Sequence, residues 1–69
     1  MTLREHYEQA KAAGEREAFL AYLSAETGNT GGTVLQWCLG HRHPAPAALR
    51  LIAKALNTTE EQLYKNTEQ

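Results

Sequence analysis

Several features that define common function classes are missing from this chain of 69 residues. It has one cysteine, Cys38, so no disulfide can form within it. It has no aspartate, a single serine (Ser24) and no glycine-rich loop carrying the lysine of a phosphate-binding site. No apolar run approaches the roughly 18 residues that cross a membrane. These absences argue against an enzyme, a secreted disulfide scaffold and a membrane protein, and we expect a cytoplasmic protein.

The alternation of apolar and polar residues that is typical of strands is absent too. Alanine, leucine, glutamate and glutamine are common, which favours an all-α domain. Apolar periodicity and capping residues predict five short helices, at residues 3–13, 15–27, 31–39, 46–56 and 59–64. Thr2 with Glu5, and Thr58 with Glu61, have the spacing of capping boxes.

A chain of this length makes one small domain, residues 1–69, whose core buries only about 60% of the surface of the unfolded chain. We therefore expect a compact five-helix bundle, with a polar tail at residues 65–69 and with self-association as a supplement to the small core. The surface expected to carry self-association lies around three residues of the carboxyl-terminal part: Leu56, Leu63 and Tyr64.

Residues 27–44, TGNTGGTVLQWCLGHRHP, are the most informative segment. Gly28 and Asn29 tolerate a left-handed backbone and can turn one helix into the next, which Thr30 can cap. Gly40 is predicted to end this helix before a basic loop. Three residues at spacings i, i+3 and i+4 are predicted to point into the core: Val34, Trp37 and Cys38. Trp37 is expected to lie where this helix meets the second and fourth helices. The other aromatic residues are also expected in the core: Tyr7, Phe19, Tyr22 and Tyr64.

The net charge of −1 is unevenly distributed. Residues 1–26 carry three basic residues and five glutamates, and residues 58–69 carry one lysine and three glutamates. Residues 27–57 carry three basic residues and no carboxylate. Because neutralisation of phosphate dominates affinity for DNA, this positive segment is the part predicted to contact it.

The stretch GNTGGTVLQWCLGHRHPAPAALRLIAKALNTTEEQLY resembles the small Cro and C1-type helix-turn-helix proteins of phages and prophages, especially the YdaS-like group. The similarity covers roughly residues 18–64. It consists of the glycine of the turn, a valine with a tryptophan three residues later, the glycine stop, a basic residue before a proline, and an apolar helix ending at Asn57. It implies a five-helix lambda-repressor-like fold, transcriptional repression and a dimer on a two-fold symmetric operator.

The resemblance places the base-contacting positions at Gly31, Gly32 and Gln36, with Thr33 nearby. Two departures matter: the glycines offer no side chain to a base, and Glu15 and Glu17 would repel a phosphate at the start of the second helix. With the helix cap and the basic loop included, nine residues are predicted to bind DNA: Thr30, Gly31, Gly32, Thr33, Leu35, Gln36, His41, Arg42 and His43.

Each of these contacts has an ordinary structural alternative. Gln36 is either a bidentate partner of adenine or a solvated side chain. The two glycines either let backbone amides approach phosphate or only loosen the start of the helix. Arg42 is expected to bind phosphate, whereas His41 and His43 add charge only when protonated. Leu35 contacts either a thymine methyl group or another protein.

A metal site is a weaker interpretation. Cys38, His41, His43 and His6 offer thiolate and imidazole ligands, but structural zinc sites use four ligands in paired spacings that are absent here. We predict no metal and no cofactor.

The sequence therefore favours a repressor of phage or prophage type, associated with the nucleoid, that binds operator DNA as a homodimer or a higher oligomer. An alternative of a different class stays open: a helix-turn-helix module that binds a protein partner, including an antitoxin that neutralises a toxin. The acidic outer segments and the two glycines favour this alternative.

Overall fold

A computed structural model describes residues 1–64 as five α-helices connected by short loops. The helices are α1 (Leu3–Ala12), α2 (Arg16–Thr27), α3 (Gly31–Leu39), α4 (Pro46–Ala55) and α5 (Glu60–Leu63). The described residues contain no strand, and the prediction of an all-helical domain is confirmed. The predicted tail at residues 65–69 lies outside the described residues.

The start of α1 has the predicted capping box. The Thr2 hydroxyl oxygen accepts the N–H of Glu5 at 3.2 Å, and the Glu5 carboxylate accepts the N–H of Thr2 at 2.8 Å. Both bonds satisfy amides that have no partner within the helix. They fix the entry of the chain, and Leu3 and Tyr7 on the inward stripe are buried.

The carboxyl ends of α1 and α4 set where the next helices begin. The N–H of Glu15 donates to the carbonyl of Ala10 at 2.8 Å, so α2 begins one residue later than predicted. The N–H of Thr58 likewise donates to the carbonyl of Ala53 at 2.9 Å. Thr58 thereby closes α4, and Thr59 instead caps α5 by accepting the N–H of Gln62. The predicted capping box at Thr58 is wrong by one residue.

The core lies where α1, α2 and α3 meet and continues between α2, α4 and α5. All three predicted inward residues of α3 are buried. Trp37 also lines a cavity of about 230 Å³ together with residues from the start of α1 and from α5. The buried apolar residues form one cluster: Leu3, Tyr7, Leu20, Leu23, Val34, Trp37, Cys38, Ala48, Ile52, Ala53 and Leu63.

Two surface predictions need correction. Tyr22, expected in the core, is 47% exposed. Leu63, expected to contribute to self-association, is 0% exposed, and its neighbours Leu56 and Tyr64 are half-buried. A side chain that the core already encloses cannot contact a second copy. Among the described residues, no helix is long and apolar enough to cross a membrane.

Candidate nucleic-acid interface

The turn between α2 and α3 is held by its own hydrogen bonds. Gly28 has a left-handed backbone (φ 72°), and its N–H donates to the carbonyl of Ser24 at 2.9 Å. The Ser24 hydroxyl donates to the carbonyl of Asn29, and the Asn29 side-chain amide donates to the carbonyl of Thr27 at 3.1 Å. Because the turn is satisfied from within, the start of α3 has a fixed direction relative to α2.

The first turn of α3 is capped by Thr30 and continues with two glycines, which have no side chains. The Thr30 oxygen accepts the N–H of Thr33 at 3.2 Å, and the two threonine hydroxyls lie 3.1 Å apart. A Cβ built on Gly31 would meet no heavy atom within 4 Å, and one on Gly32 would meet only Thr30 Oγ1, at 3.9 Å. The fold therefore does not require glycine at either position. Backbone amides at this helix start are open to an anion.

The outward face of α3 is narrower than predicted. Gly32 is exposed, but Gln36, predicted to be exposed, is half-buried. Leu35 packs partly against the core instead of standing at the edge of the exposed face. Leu39 lies three residues after Gln36 and seven after Gly32, so helical spacing places it toward the same face. Like Leu35, it packs partly against the core.

The basic loop after α3 is tied to the helix end. Gly40 has a left-handed backbone (φ 83°), and its N–H donates to the carbonyl of Trp37 at 3.2 Å. The carbonyl of Gln36 accepts the N–H groups of His41 at 3.0 Å and of Arg42 at 3.3 Å. This is the Schellman pattern of helix ends. It fixes the start of the loop relative to the backbone of Gln36.

The three basic side chains of this loop are exposed, but they differ in freedom. The His43 ring packs on the ring of Tyr64, with centroids 4.4 Å apart. Its Nδ1 lies 3.1 Å from the carbonyl oxygen of Pro44, which can only accept, so Nδ1 carries the proton. His43 is thus held against the fold, and His41 and Arg42 project from the loop.

Arg16 is a further basic group that the sequence analysis did not assign to the site. Its Nε donates to the Tyr7 hydroxyl oxygen at 2.9 Å, and this bond raises the pKa of the Arg16 guanidinium. The bond fixes a positive charge at the first residue of α2, and the flanking residues in the sequence, Glu15 and Glu17, are exposed. In the sequence, the position of Arg16 at the start of a helix was the only indication that it could contribute to the site.

Cys38 lies inside the fold. Burial raises the pKa of its thiol to about 12, which keeps it protonated at neutral pH. Within residues 1–64, no three side chains of the His, Cys, Asp and Glu types come together as a metal site.

The candidate interface formed by α3 and the basic loop offers helix-start amides, a glutamine and an arginine, which suit hydrogen bonding to phosphates and bases.

The comparisons with known proteins are negative. No family model matches the chain, and neither a curated protein nor a solved structure matches it significantly.

Proposed function

We propose that this protein is a sequence-specific DNA-binding regulator of transcription, a Cro-like repressor. In this proposal α2, its turn and α3 act as a helix-turn-helix, and α3 enters the major groove of operator DNA. A compact five-helix domain in which two helices pack together across a tight, internally bonded turn supports this function.

The observation that carries the proposal is the tie between the end of α3 and the basic loop. The carbonyl of Gln36 accepts the amides of His41 and Arg42. One residue thus offers a side chain for a base edge while its backbone fixes the loop suited to phosphate. Protein–DNA complexes combine these two kinds of contact, since phosphate contacts set the register in which bases are read.

The roles of the remaining predicted residues follow from their positions. Gly31 and Gly32 let the backbone at the start of α3 approach phosphate closely, beside the hydroxyls of Thr30 and Thr33. Gln36 pairs with adenine N6 and N7. The exposed part of the Leu35 side chain contacts a thymine methyl group.

The charge of the segment that contains α3 supports the same function. Residues 27–57 include Arg42, Arg50 and Lys54, all exposed, and no carboxylate. Arg50 lies 3.9 Å from the Glu60 carboxylate, with 74% of its side chain exposed. A pair this long and this solvated neutralises little of the charge.

Selection of bound sites from random duplex DNA, followed by titration of the enriched sequence, tests the proposal. We expect a defined motif with half-sites about one helical turn apart and an affinity that falls steeply with salt. Enrichment of no motif would contradict sequence-specific binding.

A second candidate function is a protein-interaction module such as an antitoxin. The thin base-contacting set favours it: Gly32 has no side chain and Gln36 is half-buried. Capture of a single protein at one-to-one stoichiometry, with no shift of any DNA, would support this function over the first.

A further inference from the structure

Helix α2 is apolar on both of its faces. Its inward face includes Leu20 and Leu23, which are buried. Its outward face has four residues at spacings i, i+3, i+4 and i+7, none of them charged and all exposed: Ala18, Ala21, Tyr22 and Ala25. A surface helix normally has charged or polar residues opposite its buried stripe, and α2 has none at these four positions.

The exposed face of α2 continues onto α4. The Tyr22 hydroxyl donates to the carbonyl of Ala55 at 3.0 Å, so its ring is held at the boundary of the two helices. Leu51 lies one turn before Ala55 on α4 and is 40% exposed. In residues 1–64 the exposed large apolar side chains are Met1, Tyr22 and Leu51. The two that lie on helices therefore belong to two packed neighbours.

We name this surface the α2–α4 patch: Ala18, Ala21, Tyr22, Ala25 and Leu51. The exposed charged residues around the patch have opposite signs on the two helices. On α2 the exposed charged residues are Glu17 and Glu26, and on α4 they are Arg50 and Lys54. The patch thus has an acidic helix beside a basic one, which is complementary to a copy of itself.

We propose that the α2–α4 patch is a two-fold symmetric interface between two copies of this chain. In it α2 of one copy lies over α4 of its partner, and the symmetry repeats this contact, as in any isologous dimer. Tyr22 and Leu51 provide the apolar centre, the alanines let the helices approach closely, and the carboxylates of α2 face the basic residues of α4. The proposal does not rest on DNA binding.

This surface replaces the one that the sequence predicted. Leu63 is enclosed by the core, whereas Tyr22 and Leu51 are available. The carboxyl-terminal half of the domain therefore contributes to self-association through Leu51 of α4.

Sedimentation equilibrium of the full chain without DNA, up to hundreds of micromolar, tests the interface. We expect the wild type to form dimers, and Ala21→Lys to weaken dimerisation at least tenfold, because it places a positive charge in the apolar patch, opposite the basic α4 of the partner. Ala12→Lys is the matched control, since Ala12 is also an exposed helical alanine but lies on α1. Circular dichroism checks that both variants stay folded. A monomeric wild type, or equal dimerisation of the two variants, would overturn the proposal.

A charge exchange tests which helices face each other. One variant carries Glu17→Lys with Glu26→Lys, and the other carries Arg50→Glu with Lys54→Glu. Each alone should dimerise more weakly than wild type, because like charges then meet across the interface. An equimolar mixture should form heterodimers severalfold more tightly than either homodimer. A mixture that associates no better than its components would show that α2 does not lie over α4.

Discussion

The backbone N–H of Arg42 donates to the carbonyl oxygen of Gln36 at 3.3 Å. The bond fixes the first exposed arginine after α3 relative to the glutamine on its outward face. It belongs to the main chain, so replacing either side chain leaves it intact. The base-contacting and phosphate-binding roles proposed for these two residues can therefore be removed separately.

For Gln36→Ala we predict a loss of specificity. The variant should lose about 1 to 3 kcal/mol of binding free energy on the preferred site and much less on random DNA, since a bidentate contact to adenine disappears. Fluorescence anisotropy with both DNAs measures this difference. Equal losses on the two DNAs would refute the base-contacting role.

For Arg42→Ala we predict weaker binding to all sequences. The slope of log affinity against log salt concentration should fall by about 1 per protomer, as one phosphate contact is lost. Arg4→Ala is the control: it removes another exposed arginine, which pairs with Glu8 on α1. If the two variants had the same slope, Arg42 would not contact DNA.

Replacement of Gly32 should separate stability from binding. A Cβ at Gly32 meets only Thr30 Oγ1, at 3.9 Å, so Gly32→Ala should raise the free energy of unfolding. The gain should stay below the about 1 kcal/mol seen inside helices, because Gly32 is the second residue of α3. The same methyl group stands where the proposal brings phosphate or a base close to the backbone, and DNA affinity should fall. A more stable variant with unchanged affinity would show that no close approach occurs there.

Trp37 should dominate the stability of the domain. It is 6% exposed and lines the cavity between the start of α1 and α5. Truncation to alanine should cost about 3 to 5 kcal/mol, enough to unfold most domains of this size. Trp37→Phe, which keeps a ring in place, should remain folded. Native tryptophan emission should be blue-shifted, and emission open to a soluble quencher would contradict the burial.

The stability of the domain should fall on mild acidification through His6. Burial, and then the charge of the amino terminus, lower the pKa of His6. The unfolded chain therefore binds a proton more readily near pH 6.5, the ordinary histidine value, and unfolding becomes easier as the pH falls through this window. Denaturant titrations at about pH 7.5 and pH 5.5 should show a smaller loss for His6→Gln than for wild type. Equal losses would exclude His6 as a cause.

Local signals made the helix positions predictable. The observed bounds of α3 match the predicted ones because Thr30 and Gly40, which were identified from the sequence, act as its two caps. The start of α5 was misplaced because two adjacent threonines can each cap a helix, and the N–H of Thr58 is used to close α4. That choice depends on the preceding helix and not on the capping signature.

The site was harder to predict because exposure depends on neighbouring helices. Helical spacing placed Gln36 opposite the buried stripe of α3, yet the bundle half-buries it. Tyr22 has an aromatic side chain of the kind that cores contain, but it lies on the outward face of α2. Its hydroxyl donates to a carbonyl at the end of α4. Periodicity gives the face on which a residue lies and does not give what covers that face.

The affinity of the protein for its selected DNA site, relative to a shuffled site of the same composition, tests the central claim most directly. Anisotropy titrations over a range of salt concentrations measure both affinities. The proposed function predicts a preference of about 10³-fold or more at physiological salt, and a steep fall of both affinities as salt is raised. Equal affinity for the two sites, or no binding at low salt, would contradict it.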